Sequence, residues 1–547
     1  MRVLPLAPLL LLLAPAPGIG IADTAIAAQH LCGDDTIAPG NARLMPGYGA
    51  GGFAVRTGKP QAQAFFSNAM QLSHAFAHKA GITAFAEARR LDPLCAMCAW
   101  GEAWASGPTI NYPVDAATQV RLGKVVDAAE RLAATGPDKE RQMIAALALR
   151  YRNGGGKGAG DLAFAKAMDD LARTYPTDNE IAVIAADAWM IPASLGGKAA
   201  GLPRAIALLE GALQRDPTFT PAIHFYIHAT EMSGFPARAE RYADMLAALA
   251  PAASHLVHMP SHTYYWIGRY QDAADSNVRA AAIDETNARA RGLPLPGGVW
   301  QLTYHAHNVQ FGIGGALIAG DARSALDLAA PIIAAVSRMP KGAAFQDMTA
   351  GTGYFAEGRF AAPAAVLALP EPSADHPFLR AYRHYARGEA LARQGDASGV
   401  RTEAAAIPDH VAGADATTDD SALAATDLMR IARLVLLGRA AMLDHAPDKA
   451  AKFYMAAAKI EEAKPFAAWS DPPIWWYPVR RSLAAALLAS GKPQAALIEA
   501  DAALKRRPRD PVTLGIKDQI AAALAGKPVP PGSVTARDGL APIPALI

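Results

Sequence analysis

The chain has 547 residues, 52% of them hydrophobic and 19% charged, with 46 Gly, 41 Pro and 3 Cys. This apolar content excludes a disordered chain, and so few cysteines exclude a disulfide framework. A formal net charge of +2 with 14 His supplies neither a basic nor an acidic field, so no nucleic-acid partner is expected.

Residues 1–28 read as a secretory signal peptide. Arg2 gives a positive start, 4–17 is apolar, and Ala25, Ile26 and Ala27 offer small residues for cleavage. That apolar run is too short to span ~30 Å of hydrocarbon, and no later stretch reaches ~18 apolar residues. The mature chain is therefore expected to have no transmembrane segment and to be periplasmic or secreted. Gln29, His30 and Leu31 before Cys32 are not small enough for a lipid-anchor site. Residues 29–59 form an N-terminal extension.

From 60 to 525, Ala- and Leu-rich stretches alternate with breaks at Gly, Asp-Pro or Ala-Pro. Apolar residues at three- and four-residue spacing, as in 64–76 and 496–507, predict helices. The breaks repeat: Pro217 and Pro251 are 34 residues apart. From Pro251 the chain passes Ser261, Tyr264, Gly268, Tyr270, Ala273 and Ala280 to Glu285, and Gly234 and Ala239 follow Pro217 at matching offsets. Gly320 with Ala325, Tyr354 with Gly358 and Phe360, and Gly491 with Ala495, Ala503 and Pro508 mark looser units. This pattern resembles the tetratricopeptide (TPR) repeat, a helix hairpin that buries its apolar face only by stacking on its neighbours.

The expected fold is thus all-α, a TPR-like helical-hairpin solenoid. Residues 60–402 would form a solenoid with a His-rich groove, 403–425 a polar loop, 426–525 further repeats, and 526–547 a loose Pro-rich tail. Residues 284–299 read as a Gly/Pro/Arg-rich insertion, and Asn153 with Gly154, Gly155 and Gly156 as a flexible linker.

Seven of the 14 His fall between 224 and 307, where even spacing would put roughly two. His224 and His228 lie seven and eleven residues after Pro217, and His258 and His262 lie seven and eleven after Pro251. Residues i and i+4 share a helix face, and equivalent positions of neighbouring repeats lie side by side at ~8–10 Å. The resemblance to TPR proteins implies that these positions look into the concave groove. Glu231, three residues after His228, extends the face; Asp187 sits at the matching offset after Pro176, and His307 at the start of the next repeat.

Imidazole and carboxylate at this spacing point to a transition-metal site for Cu, Zn or Fe, with Glu231 as a general base if the site is catalytic. Met259 would tilt it toward copper. Two readings compete: hydrogen-bonded core histidines, and a metal-free groove that binds an acidic or peptide ligand. His255 reads as a loop or helix-start residue, and His305 as facing elsewhere.

The segment HLVHMPSHTYYWIGRY (255–270) also resembles a motif of exported bacterial TPR proteins, together with the preceding His-x3-His helix, the segment Tyr304-His305-Ala306-His307-Asn308 and the pair Cys95-Ala96-Met97-Cys98. Gln310 stands where such relatives often carry a further His. The resemblance implies fold and site; it assigns no activity.

Cys95 and Cys98 at a helix start admit a disulfide, a redox dithiol, or a soft metal site with His74 or His78. Trp475, Trp476 and Tyr477 read as packing at a repeat junction, or as a wall for an acidic or carbohydrate ligand. Three functions follow: an exported metal protein, with metal-activated water or oxygen chemistry if an enzyme; a scaffold whose groove takes a peptide, protein or small molecule; and metal storage or delivery.

Overall fold

A computed structural model describes residues 40–152, 159–194, 199–339, 344–411, 420–464, 466–468, 471–528, 533–534 and 543–544. The expected signal segment, Cys32, the 153–156 glycine run and most of the Pro-rich tail lie outside the described residues.

Helices follow one another along the chain. The first half holds α1 (Pro60–His74), α2 (His78–Leu91), α3 (Ala96–Ala105), α4 (Ala116–Ala133), α5 (Asp138–Arg152), α6 (Ala159–Thr174), α7 (Asn179–Ser194), α8 (Leu202–Arg215) and α9 (Thr220–Met232). Then come α10 (Glu240–Leu249), α11 (Ser254–His258), α12 (Pro260–Ile267), α13 (Tyr270–Ala290), α14 (His305–Ala319), α15 (Ala322–Ala335) and α16 (Ala344–Phe360). The rest are α17 (Pro363–Leu367), α18 (Pro377–Arg393), α19 (Ala397–Ala406), α20 (Asp420–Leu443), α21 (Pro447–Glu462), α22 (Arg480–Ala489), α23 (Pro493–Arg506) and α24 (Pro511–Leu524). Two short strands, β1 (Ser533–Val534) and β2 (Ile543–Pro544), pair antiparallel near the C-terminus.

The proline breaks start helices. Pro occupies the first turn of α9, α12, α21, α23 and α24, where its missing N–H costs no intrahelical bond. Gly234 and Gly268, the marker pair, end helices with φ of +77° and +85°, a left-handed conformation that L side chains resist.

Each helix packs on its sequence neighbours, and the first helices of successive hairpins meet, as α1 on α3, α7 on α9, α14 on α16 and α22 on α24. The result is a TPR-like helical-repeat solenoid. Outer helices such as α8 bury one stripe (Leu202, Ala205, Ile206, Leu209, Ala212, Leu213), whereas α9 is buried nearly all round. Polar groups on α9 must therefore find partners inside the protein.

Two features lay outside the repeat pattern. Residues 40–59 run as a strap across the helix ends. Backbone N–H groups of Met45, Ala50, Gly52 and Arg56 donate to Asn68 Oδ1 (2.8 Å), Thr220 Oγ1 (2.7 Å), Glu180 Oε1 (2.5 Å) and Glu140 Oε1 (2.6 Å). These acceptors sit on α1, α9, α7 and α5. A Cβ on Gly49 would fall 2.3 Å from Thr220 Oγ1, and one on Gly52 2.8 Å from the Ser67 Cα, so the glycines permit the close approach.

The second feature is closure. The C-terminal hairpins return onto α12 and α13, with Tyr270 Oη donating to the Pro508 carbonyl (2.9 Å) and the Arg507 guanidinium 4.7 Å from the Trp266 ring.

The expected insertion at 284–299 is helical up to Ala290, and the 403–425 segment is helical at both ends, through Ala406 and from Asp420; residues 412–419 lie outside the described residues. Among the described residues no helix is long and apolar enough to cross a membrane.

Candidate metal centre

Three successive inner elements build the site. Helix α9 carries His224, His228 and Glu231. Helices α11 and α12 carry His255, His258 and His262; Met259 between them is itself helical (φ −51°, ψ −36°). Positions 255, 258 and 262 therefore follow helical spacing and share one face. Helix α14 begins with His305 and His307.

The rings are held from behind. His224 Nδ1–H donates to the His74 carbonyl (2.6 Å), and His258 Nδ1–H to Asn277 Oδ1 (2.6 Å). Asn277 is fixed in turn, its Nδ2 donating to the Ala273 carbonyl (2.7 Å). His262 Nδ1–H donates to Glu231 Oε2 (2.7 Å) and lies 3.2 Å from Asp471 Oδ1. A ring that donates from Nδ1 offers its Nε2 lone pair forward, the arrangement found behind metal-bound imidazoles.

The forward atoms then face one another. His258 Nε2 and His262 Nε2 are 2.9 Å apart, and His224 Nε2 and His255 Nε2 are 3.1 Å apart. Two lone pairs at this distance repel unless a proton or a cation lies between them. Separations of ~3 Å also suit two ligands on one ion with bonds of about 2.0–2.1 Å. Among the described residues three sets have donor atoms within 4.8 Å of one another: His258, His262 and His307; His224, His228 and His255; and His228, Glu231 and His262.

Electrostatics separates one ring from the rest. Burial holds His228, His255 and His258 well below the usual imidazole range and lowers His224 and His307 to about 3. These five are neutral at physiological pH, as ligands must be. Burial acts against charge on His262 too, but Asp471 and Glu231 outweigh it and push its pKa up to about 9. Within the three sets, His228 Nε2 and His255 Nδ1 are buried without a hydrogen-bond partner, as are His74 Nδ1 and His78 Nε2 nearby.

The structure brings His224, His228, His258, His262 and His307 together. Glu231 belongs beside them, but both its oxygens are engaged, Oε2 by His262 and Oε1 by Trp266 Nε1–H (2.7 Å). Asp187, on α7, is in none of the three sets; it lies near Arg150 and His74, and burial raises its pKa to about 7. His305 faces elsewhere, with Nδ1 3.1 Å from Asp284 Oδ2. Met259 is packed in the hydrophobic core.

Cys95 and Cys98 form a buried disulfide, so in this state they present no thiolate to a metal. His74, the neighbour considered for a soft site, is paired with Glu180 (2.9 Å). Trp475, Trp476 and Tyr477 are buried, with Arg359 and Arg481 over the Trp476 ring.

Four site residues escape the sequence reading. His255 carried a signal in its spacing to His258 and His262. Asn277 follows no motif. Asp471 reaches His262 across 209 residues. Phe76, in the left-handed region at φ +55°, places its ring 4.4 Å from that of His224 and 4.9 Å from that of His255.

No family model matches the chain, and no curated protein matches it. Solved structures similar to it include the human IFIT1 dimer with m7Gppp-AAAA, at 12% identity, covering 86% of this chain and 92% of that one, with a TM-score of 0.29. The APC/C hetero-tetramer Cut9-Hcn1 is 12% identical over 83% of this chain and 96% of that one, with a TM-score of 0.24. Naa15/Naa10 bound to HypK-THB is 9% identical over 80% and 62%, with a TM-score of 0.21. Likenesses this low carry no argument, and the solenoid rests on its own hairpin packing. The expectation of no nucleic-acid partner rests on net charge alone and gains no support from them.

Proposed function

We propose that this chain is an exported helical-repeat metal protein that holds a first-row transition ion on His258, His262 and His307. The observation that carries the reading is the 2.9 Å approach of His258 Nε2 to His262 Nε2 while both Nδ1 atoms are committed to acceptors behind them. In the metal-free protein a proton between the two Nε2 atoms bridges the rings, and loading a cation displaces it. Copper, zinc and iron all suit neutral imidazole.

Three imidazoles leave coordination positions open, as activation of water or oxygen requires. We assign Glu231 a positioning role on His262 in place of the general-base role, because both its oxygens are already bonded. A peptide-scaffold reading has fewer free acceptors to draw on, because the strap at 40–59 already donates to side chains of α1, α5, α7 and α9.

The test is elemental analysis of the full chain purified without a His tag and offered Cu, Zn and Fe. At least one tightly held ion per chain, lost in a His258→Ala/His262→Ala variant that stays helical, is the expected result. A chain that binds none of the three overturns the reading.

A further inference from the structure

We infer that the centre takes a second transition ion, on His224, His228 and His255, so that two three-imidazole sets stand side by side. The inference deepens the proposed function and rests on it for the first ion, but the observations behind the second site are its own.

The His224 and His255 pair repeats the close Nε2 approach of the first site, with one of its two Nδ1 atoms committed. His224 Nδ1–H is spent on the His74 carbonyl (2.6 Å), and its Nε2 lies 3.1 Å from His255 Nε2. A hydrogen bond from His255 Nε2–H would satisfy this contact alone. It would leave His255 Nδ1 and His228 Nε2 both without partners, in residues 4% and 6% exposed. Buried polar nitrogens are nearly always paired with protein, ordered water or an ion. A cation among the three rings gives His228 its missing partner and takes up the facing lone pairs of the other two.

One ion cannot serve all six rings. Donor atoms within each set lie within 4.8 Å of one another. The sets adjoin through His228 and His262, whose donor atoms, with Glu231, also lie within 4.8 Å of one another. Six imidazoles exceed the four-coordinate shell usual for such an ion, and two adjoining three-imidazole sets suit two ions sharing an exogenous ligand.

Two further features belong to the second set. Phe76, held at φ +55°, packs its ring against His224, His228 and His255 at 4.4, 5.8 and 4.9 Å. Left-handed backbone at a bulky residue is strain that the surroundings must maintain, and such strain gathers at functional sites. A shallow pocket whose walls include Tyr48, Phe76, His78 and Tyr304 reaches His255. Its lining includes none of His258, His262 or His307. Of the second set it touches His255 alone.

The experiment loads the tag-free full chain with Cu(II), removes excess, and measures copper per chain by elemental analysis and by spin-counted EPR. Two ions per chain are expected, with less EPR signal than copper because adjacent Cu(II) ions couple. His255→Gln, which keeps the volume, drops the count to one and restores a full isolated signal. One ion in wild type, unchanged by His255→Gln, overturns the inference and leaves the proposed function standing. Two ions that survive His255→Gln also overturn it, since the second then lies elsewhere. A chain without bound copper that also refuses zinc and iron fails the proposed function itself. Circular dichroism of each variant confirms that the helices persist.

Discussion

Asn277 shows how one residue behind the site sets what its ligand can do. Its Nδ2 is fixed by the Ala273 carbonyl, so its Oδ1 faces His258 Nδ1 and dictates the tautomer. Asn277→Leu should weaken metal binding by about 10–100-fold, measured by competition with a chromogenic chelator, whereas Asn277→Asp should retain most of it. Equal loss in both variants would show that the bond to His258 does not matter. Asp187 makes a separate prediction about stability. Its folded pKa is raised from 3.8 to about 7 by burial, so folding favours its protonated form. The stabilisation is full below about pH 4 and is lost as pH rises through 7. Asp187→Asn should therefore leave the thermal midpoint unchanged at pH 4 and raise it at pH 8, where about 2–4 kcal/mol is recovered. A midpoint difference independent of pH would contradict the assignment.

At the scale of the element, the strap is where the sequence and the three-dimensional reading part. The 34-residue return of Pro217 and Pro251, with Gly234 and Gly268, makes the hairpins of α9 to α13 legible, and with them the shared register of four histidines. Repeats write their structure locally. The strap does not: Ala50 meets Thr220 across 170 residues, and only the glycines of 47–52 hint at a close approach whose partner they cannot name. Asp471 was hidden for the same reason, because nothing in an Asp-Pro pair says that the solenoid returns to α12. Gly52→Val should destabilise the protein by about 2 kcal/mol or more. A Cβ there meets the Ser67 backbone on α1, and φ is +97°. Denaturant unfolding midpoints of this variant and of Gly40→Ala, whose Cβ meets nothing within 4 Å, separate the clash from the loss of glycine.

For the whole molecule, the site ties distant hairpins together. Its rings come from α9, α11, α12 and α14, with acceptors from the α1 end (His74) and from residue 471. An ion bound only by the folded form adds about 2.7 kcal/mol of stability at a hundredfold excess over its Kd. Metal-loaded protein should unfold in one calorimetric transition at higher temperature, and protein treated with chelator in broader or separate steps. Identical transitions would mean that the ion does not bridge the repeats.

The strap changes what kind of solenoid this is. Stacked repeats ordinarily fray from their ends, each unit opening against its neighbours alone. Here Gly52 N–H is bonded to Glu180, Glu180 to His74, and the His74 carbonyl to His224. A ribbon laced through α1, α5, α7 and α9 converts four nearest-neighbour units into one opening unit. Amide exchange across 60–232 should then follow a single free energy, with the C-terminal helices beyond the ribbon exchanging first.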